Sequence, residues 1–303
     1  MVGMFDVGDK PPTLRTAVAQ AIVKVEPATI NLINEGKSPK GNIVDAARLS
    51  ATMAAKRTWD LLPYCHPIPI EHVKVDVALK EQSIEVTVDV KNVGRTGVEM
   101  EALTAACIAA LTIYDMLKPV DETLSIESIK LLKKRGGLKT FAERFDRGLK
   151  AAVLVASDSR GEREDQSGKV VIDRLVKNGF EVVEYKIIPD EPDLIESELK
   201  RFCDELKVDI VLTSGGTGLG PRDVTPEVTR KIIEKEVSGI AETLRAYGQQ
   251  RTPLSMLSRG VAGVRGTTVI VNLPGSVKAV SESLDSLFPG ILHIYKMLGG
   301  YGH

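Results

Sequence analysis

Two short stretches near the middle of the first half carry most of the side chains that can do chemistry. Leu62-Pro63-Tyr64-Cys65-His66-Pro67-Ile68-Pro69 holds three prolines in seven residues. Such a run excludes a helix and sets an extended, rigid path that fixes the pose of His66. A loop histidine without a chemical role fits the same residues, and neighbouring Cys65 and His66 make a poor zinc pair. The second stretch, Gly94-Arg95-Thr96-Gly97-Val98-Glu99-Met100-Glu101, opens a long apolar segment that ends in Tyr114-Asp115-Met116-Leu117-Lys118. Glu99 and Glu101 suit a helix N-terminus and can be caps. Asp115 stands at the end the dipole disfavours, which points to function.

In the second half the chemistry sits in loops. Thr213-Ser214-Gly215-Gly216-Thr217-Gly218-Leu219-Gly220-Pro221-Arg222-Asp223-Val224-Thr225-Pro226-Glu227 follows an apolar run. It fits neither a Walker loop nor G-x-G-x-x-G, yet its glycines expose backbone N–H groups suited to phosphate. A glycine-rich strand-to-helix turn reads equally well. Thr225 before Pro226 reads as an N-cap followed by proline at N1. Leu273-Pro274-Gly275-Ser276 is a second such loop. Asp158 in ASDSR and Asp190 in IIPDEP end two further strands. Acids near strand ends suit a hydrated Mg²⁺ that also binds phosphate, although each alone can be a turn residue.

The elements that must position these residues change style between the halves. Residues 12–24 and 41–58 carry helical apolar spacing. Val73, Val75, Val77 and Leu79, then Ile84, Val86, Val88 and Val90, alternate with polar residues, which gives a β-hairpin with one wet face. Residues 98–117 predict a buried helix. Glu101 and Asp115 then lie about 21 Å apart along one helix, so the two ends are expected to meet across an isologous two-fold interface. The polar segment 139–150 reads as the junction. Beyond it, strands at 151–156, 180–188, 209–213 and 267–273 alternate with helices near 167–178, 193–206, 226–236 and 276–297. That order predicts a parallel sheet covered on both faces, with ligands at the strand carboxyl ends.

Bulk properties bound the rest. The 303 residues suggest two domains. With 40 basic and 41 acidic residues the net charge is −1, which gives no support for a nucleic-acid surface. The three cysteines match no disulfide framework or C-x-x-C site and suit a reducing, cytoplasmic setting. No signal peptide is legible at the start, and no apolar run is expected to reach the roughly 18 residues of a membrane span.

KGNIVDAARLSATMAAKRTWDLLPYCHPIPI, GRTGVEMEALTAA and IYDMLKPVD resemble the cyclic pyranopterin monophosphate synthase family over residues 4–140. The resemblance implies a ferredoxin-like α+β domain and a hexamer built from dimers, with sites at the dimer interface. It also implies conversion of 3′,8-cyclo-7,8-dihydroguanosine triphosphate to a pyranopterin cyclic phosphate with pyrophosphate release. By position it assigns Asp115, Lys118 and Lys40 to catalysis, with His66 and Glu99. It assigns Arg15, Tyr64, Cys65, His66, Met100 and Glu101 to substrate binding. No tightly bound cofactor is expected there. The family usually has a lysine directly after a Gly-Gly pair; here Gly136-Gly137 is followed by Leu138 and then Lys139.

SDSRGEREDQSG, IIPDE, TSGGTGLGPRDVTPE and LPGSVKAV resemble the molybdopterin adenylyltransferase family over residues 148–300. That implies an α/β fold, a trimer, and transfer of AMP from Mg-ATP to molybdopterin. Asp190 and Asp223 match the functional aspartates and the expected Mg²⁺ ligands. Asp158, Ser159, Gly215, Gly216, Thr217, Gly218, Leu273, Pro274, Gly275 and Ser276 match the ligand loops. SRGEREDQSG and SRGVAGVRG resemble a branch of unclear activity, so a pterin-binding scaffold fused to the synthase is the alternative for this half. The sequence thus predicts a bifunctional homo-oligomeric enzyme with domains 1–146 and 147–303, acting on pterin and nucleotide substrates.

Overall fold

The computed structural model describes residues 3–143, 145–158 and 165–300. The chain divides into two compact units, Met1–Thr140 and Phe141–His303.

The first unit runs β1 (Thr13–Lys24), α1 (Pro27–Asn34), α2 (Ile43–Lys56), the single turn α3 (Thr58–Leu61), β2 (His72–Leu79), β3 (Ser83–Gly94), α4 (Glu99–Leu117) and β4 (Ser125–Arg135). Its four strands form one antiparallel sheet in the order β2-β3-β1-β4, the ferredoxin-like arrangement. The β2–β3 hairpin forms as its alternation predicts, with Ile84, Val86, Val88 and Val90 buried.

Residues 13–24 overturn the helical expectation. They form β1, the strand between β3 and β4. Alanine is a good helix former, and Thr-Ala-Val-Ala-Gln-Ala satisfies a helical count as well as a strand alternation. Hydrogen-bonded neighbours on both sides decide the matter. Ala17, Ala19, Ala21 and Val23 all point into the core. Their small size lets α4 lie close to the sheet. That helix presents Ala102, Ala105, Ala106, Ala109 and Ala110 at helical spacing, all fully buried. Helix α2 adds Ala47, Ala51 and Ala55.

Helix α4 also corrects the expectation about membrane-length runs. By length and composition it is apolar enough to cross a membrane, but half of its apolar window is buried inside the fold. Its apolar character is that of a helix packed between a sheet and α2.

The second unit runs β5 (Leu149–Ala156), α5 (Gln166–Lys177), β6 (Phe180–Ile188), α6 (Pro192–Lys200, continuing as a π turn over Arg201–Glu205), β7 (Ile210–Ser214), α7 (Thr225–Ile232), β8 (Lys235–Glu236), α8 (Ser238–Gln249), β9 (Ala262–Arg265), β10 (Thr268–Leu273), α9 (Val277–Leu287) and α10 (Ile294–Leu298). The sheet order is β6-β5-β7-β10-β9-β8. The first four strands are parallel, while β9 and β8 are antiparallel. Alternate residues of β5 serve two cores. Ala151, Val153 and Val155 face α5 and α9, whereas Ala152, Leu154 and Ala156 face α6 and α7. Helices therefore cover both faces, as the unbroken apolar strands predict.

Two expected elements differ, and others were not foreseen. The helix expected over 226–236 ends at Ile232, where the chain turns into β8. Helix α8 and strand β9 were not legible. The expected terminal helix 276–297 breaks after Leu287, because Pro289 cannot donate a helical hydrogen bond. Glu143 and Arg147 are tied to this unit. Glu143 pairs with His293 at 2.8 Å and with Lys296, and Arg147 pairs with the largely buried Asp209.

Candidate functional sites

In the first unit the candidate residues fall into two clusters, one at each end of α4. At its carboxyl end, Asp115 Oδ2 lies 2.7 Å from Lys40 Nζ, and Oδ1 lies 2.8 Å from Lys118 Nζ. Lys40 also donates to the Asp115 main-chain carbonyl at 2.9 Å. An acid at a helix C-terminus is disfavoured by the dipole, and the two cations offset that cost. Hydrogen bonds from Lys118 and then Lys40 hold the Asp115 carboxyl down at about 2. The carboxylate in turn raises Lys118. All three side chains remain substantially exposed.

The amino end of α4 is built differently. Arg15 is only 8% exposed, and its guanidinium donates to the carbonyls of Gly94 and Arg95, each at 3.2 Å. Gly136 and Gly137 both have positive φ. A Cβ at Gly137 would fall 2.2 Å from Arg15 Nη1, so this turn can lie across the guanidinium only as glycine. Together they line a cavity of about 470 Å³ with Lys10, Glu99, Lys134 and Arg135. Glu99 Oε1 sits 3.2 Å from Lys134 Nζ.

Glu101 is 4% exposed, and its Oε2 has no hydrogen-bond partner. Burial pushes its carboxyl up to about 7, against the pull of its own main-chain N–H and with help from the Glu99 charge. Burial also raises the Cys65 thiol, and the charge of Glu101 adds to that effect. Glu99 turns to Lys134 and the N-cap residue Val98 makes no side-chain cap bond, whereas Glu101 takes its own main-chain N–H in the first turn of α4. His66 Nε2 lies 2.9 Å from the carbonyl of Phe5, tying the proline-rich loop to the N-terminal segment. Tyr64 and Met100 are exposed. Lys10, Lys134 and Arg135 escaped the sequence reading. Lys134 and Arg135 belong to the short basic run Lys133-Lys134-Arg135, which reads as an ordinary solvated strand end, and only the fold brings the distant Lys10 to it.

The second unit places its loops at a topological switch point. The chain leaves β5 to β6 on one side and returns to β7 on the other, which opens a crevice at the strand carboxyl ends. A cavity of about 280 Å³ lies there, lined by Ser157, Asp158, Ser167, Asp190, Ser214, Gly215 and Gly275 among others. Thr217, Gly218, Leu273, Pro274 and Ser276 belong to the same two loops. Ser214 Oγ donates to the Pro274 carbonyl at 3.0 Å, which joins those loops. Ser159 lies outside the described residues.

Asp190 Oδ1 is buried without a hydrogen-bond partner. Burial raises its carboxyl, and the charges of Asp158 and Asp223 push the same way, while Arg222 opposes them. The Asp190 N–H donates to Asp158 Oδ1 at 3.2 Å. Arg222 bridges Asp158 Oδ1 at 3.0 Å and Glu191 Oε1 at 2.8 Å. Asp223 Oδ2 accepts from Gly220 N at 2.7 Å. Among the described residues, no three His, Cys, Asp or Glu side chains form a ready metal cage. An open buried Asp190 oxygen beside two further carboxylates fits a cation that keeps waters and takes phosphate oxygens.

Gly216 has φ +62. A Cβ there would lie 2.3 Å from Thr225 Oγ1 and 2.9 Å from Asp190 Oδ1. Thr225 is fully buried, and its hydroxyl has no partner. The helix starts on Thr225 itself with Val224 as N-cap, one residue from the expected cap. Helix α5 is held more firmly. Buried Asp165 accepts from Ser167 N, Ser167 Oγ, Gly168 N and Tyr185 Oη. Burial favours its neutral form, but these donors hold its carboxyl below the usual range.

Each unit thus carries its own polar site. Residues 4–137 match the MoaC family, and residues 148–293 match a family described as a probable molybdopterin binding domain. The chain is a fusion of these two domain types. Relatives exist along its full length. A molybdenum cofactor biosynthesis bifunctional protein from Chlorobaculum tepidum is 41% identical, over 100% of this chain and 96% of that one. Another from Synechococcus elongatus is 38% identical, over 99% and 98%. The chain belongs to this family of bifunctional molybdenum cofactor biosynthesis enzymes. A cyclic pyranopterin monophosphate synthase from Thermomicrobium roseum is 51% identical over 44% of this chain and 82% of that one.

Proposed function

We propose that the first unit is a cyclic pyranopterin monophosphate synthase and that the second transfers AMP from Mg-ATP to molybdopterin. In the first reaction the cyclised GTP-derived triphosphate becomes a cyclic phosphate and pyrophosphate leaves. The observation that carries this reading is Asp115 held between Lys40 and Lys118. The ionised carboxylate fixes two ammonium groups, which can neutralise phosphate charge and hand a proton to an oxyanion as it develops. Arg15, Lys10, Lys134 and Arg135 supply the positive charge a triphosphate needs. Glu101, Cys65, Tyr64, Met100 and His66 orient the base, and Glu99 fixes Lys134. The two clusters serve one reaction when two copies meet end to end at α4, so the working form is a homo-oligomer: a hexamer supplies the two-fold contact the first unit needs, and the trimer is the form the second unit's resemblance implies.

In the second unit, the N–H groups of Gly215–Gly218 and the Leu273–Ser276 loop receive phosphate and pterin. A magnesium ion brought with ATP would neutralise the polyphosphate, and Asp190 and Asp223 would hold it. Asp158 is fixed by Arg222 beside them. The pterin phosphate attacks the α-phosphorus, its new P–O bond replaces the bond to the β-phosphate oxygen, and pyrophosphate leaves. Nucleotide substrates and reduced cysteines suit a cytoplasmic enzyme.

Purified protein incubated with molybdopterin and Mg-ATP tests the second activity, with adenylated molybdopterin read by mass spectrometry. Product from the parent and none from Asp223→Ala supports it. Tight molybdopterin binding without product would leave this unit as a scaffold. Pyrophosphate release from the cyclised triphosphate, lost in Asp115→Asn, tests the first.

A further inference from the structure

The segment SRGVAGVRG, residues 258–266, plays no part in the reactions above, yet its two arginines brace one helix. Arg259 makes four contacts with the glycine-rich loop and the start of α7. Its main-chain N–H donates to the Thr217 carbonyl at 3.2 Å. Nε donates to the Gly218 carbonyl at 2.6 Å, Nη2 to the Asp223 carbonyl, and Nη1 to the Glu227 carboxylate. Arg265 grips the other end of α7. Its Nη1 donates to the Ile232 carbonyl at 3.0 Å, while Nε and Nη2 pair with Asp204.

The two grips differ in what they control. Arg265 binds the last turn of α7 to the π turn after α6, and the partners of its guanidinium, Ile232 and Asp204, are not candidate site residues. Arg259 closes the loop from 217 to 227 on itself. Its donors meet carbonyls on both limbs, which ties the two limbs together. Asp223 feels this directly, because its main chain is held by Arg259 while its carboxylate holds Gly220 N at 2.7 Å. A planar guanidinium can make three such bonds in one plane, and an ammonium cannot.

We propose that Arg259 is a positioning residue for polyphosphate: it sets the glycine-rich loop and Asp223 in the conformation that receives Mg-ATP. This rests on the adenylyl-transfer reading of the second unit. Arg265 is a structural brace.

The test compares full-length parent, Arg259→Ala, Arg259→Lys and Arg265→Ala in three measurements: amide hydrogen exchange over 217–224, Mg-ATP affinity by calorimetry, and molybdopterin adenylation. Arg259→Ala is expected to exchange faster over 217–224 and to lose about tenfold or more in affinity or turnover, since small misplacements of a site are costly. Arg259→Lys recovers little, while added guanidinium at a non-denaturing concentration recovers part of the loss in Arg259→Ala. Arg265→Ala lowers the melting temperature but keeps the parent's exchange over 217–224 and its affinity. Parental exchange and affinity in Arg259→Ala would overturn the proposal, and so would an equal loss in Arg265→Ala. If the parent binds Mg-ATP without forming adenylate, the adenylyl reading fails, and exchange and affinity still decide for Arg259. A parent that does not bind Mg-ATP would overturn the proposal.

Discussion

Lys40 reaches Asp115 twice, once at its carboxylate and once at its main-chain carbonyl. One ammonium group thereby closes the end of α4 and sets the side chain that ends it. Lys118 takes the remaining carboxylate oxygen, so the three groups form a unit whose members cannot be adjusted singly.

The first prediction follows from that. Asp115→Asn and Lys40→Ala each lower pyrophosphate release by about 10²–10⁴-fold, the usual worth of a positioned proton-transfer group. The double variant is little worse than the poorer single one, because groups acting as a unit are not additive. Both keep nearly the parental melting temperature, since the pair is exposed and screened. Steady-state kinetics and thermal melts check this. Multiplying losses in the double variant would show independent roles.

Glu101 gives a pH signature. Its folded carboxyl titrates at about 7, above the ordinary 4.5. A raised acid contributes stability that is fully present below its unfolded pKa and lost as pH rises through the folded value. The first unit should therefore weaken between pH 4.5 and 7 through this group. Glu101→Gln should flatten that part of the profile and raise the melting temperature at pH 8 by a few degrees. Asp115, held at about 2, contributes nothing in that window. Melts of the parent and variant at pH 5 and pH 8 decide the matter.

Gly216→Ala should destabilise the second unit by about 1–2 kcal/mol, the cost of a Cβ in left-handed backbone. It should also abolish adenylation, because the added carbon meets Thr225 Oγ1 and Asp190 Oδ1. A variant with parental turnover would show that the two oxygens do not face the ligand from this side.

Asn272 is 2% exposed, and its amide serves three partners: it donates to the hydroxyls of Thr213 and Thr229, and accepts from Val261 N. Asn272→Leu leaves that buried N–H without an acceptor. It should cost about 1–3 kcal/mol, read from denaturant unfolding of the full chain.

Much of this was legible beforehand, and the reason is local. Val73 to Val90 alternate so strictly that the hairpin could hardly be anything else. The glycine loops announce themselves because positive φ needs glycine, as at Gly215 and Gly216. β1 was not legible, because alanine at alternate positions also satisfies a helix and only β3 and β4 distinguish the two. The pairing of Asp115 with Lys118 could be read from their three-residue spacing on a helix. The pairing with Lys40 could not, since it depends on how the segment before α2 meets the end of α4. Arg259 was hidden for the same reason: it acts on residues 32 to 42 positions earlier, and its own neighbours say nothing of them.

Helix α4 has a further consequence as a ruler. Glu101 and Asp115 are mounted on one rod with no loop between them. Their separation can change only in whole residues, each adding about 1.5 Å and turning the far end by about 100°. Drift in this distance is therefore quantised. One inserted residue would swing Asp115, together with Lys118, away from Lys40, whereas nearly two full turns would be needed to bring them back to their former bearing.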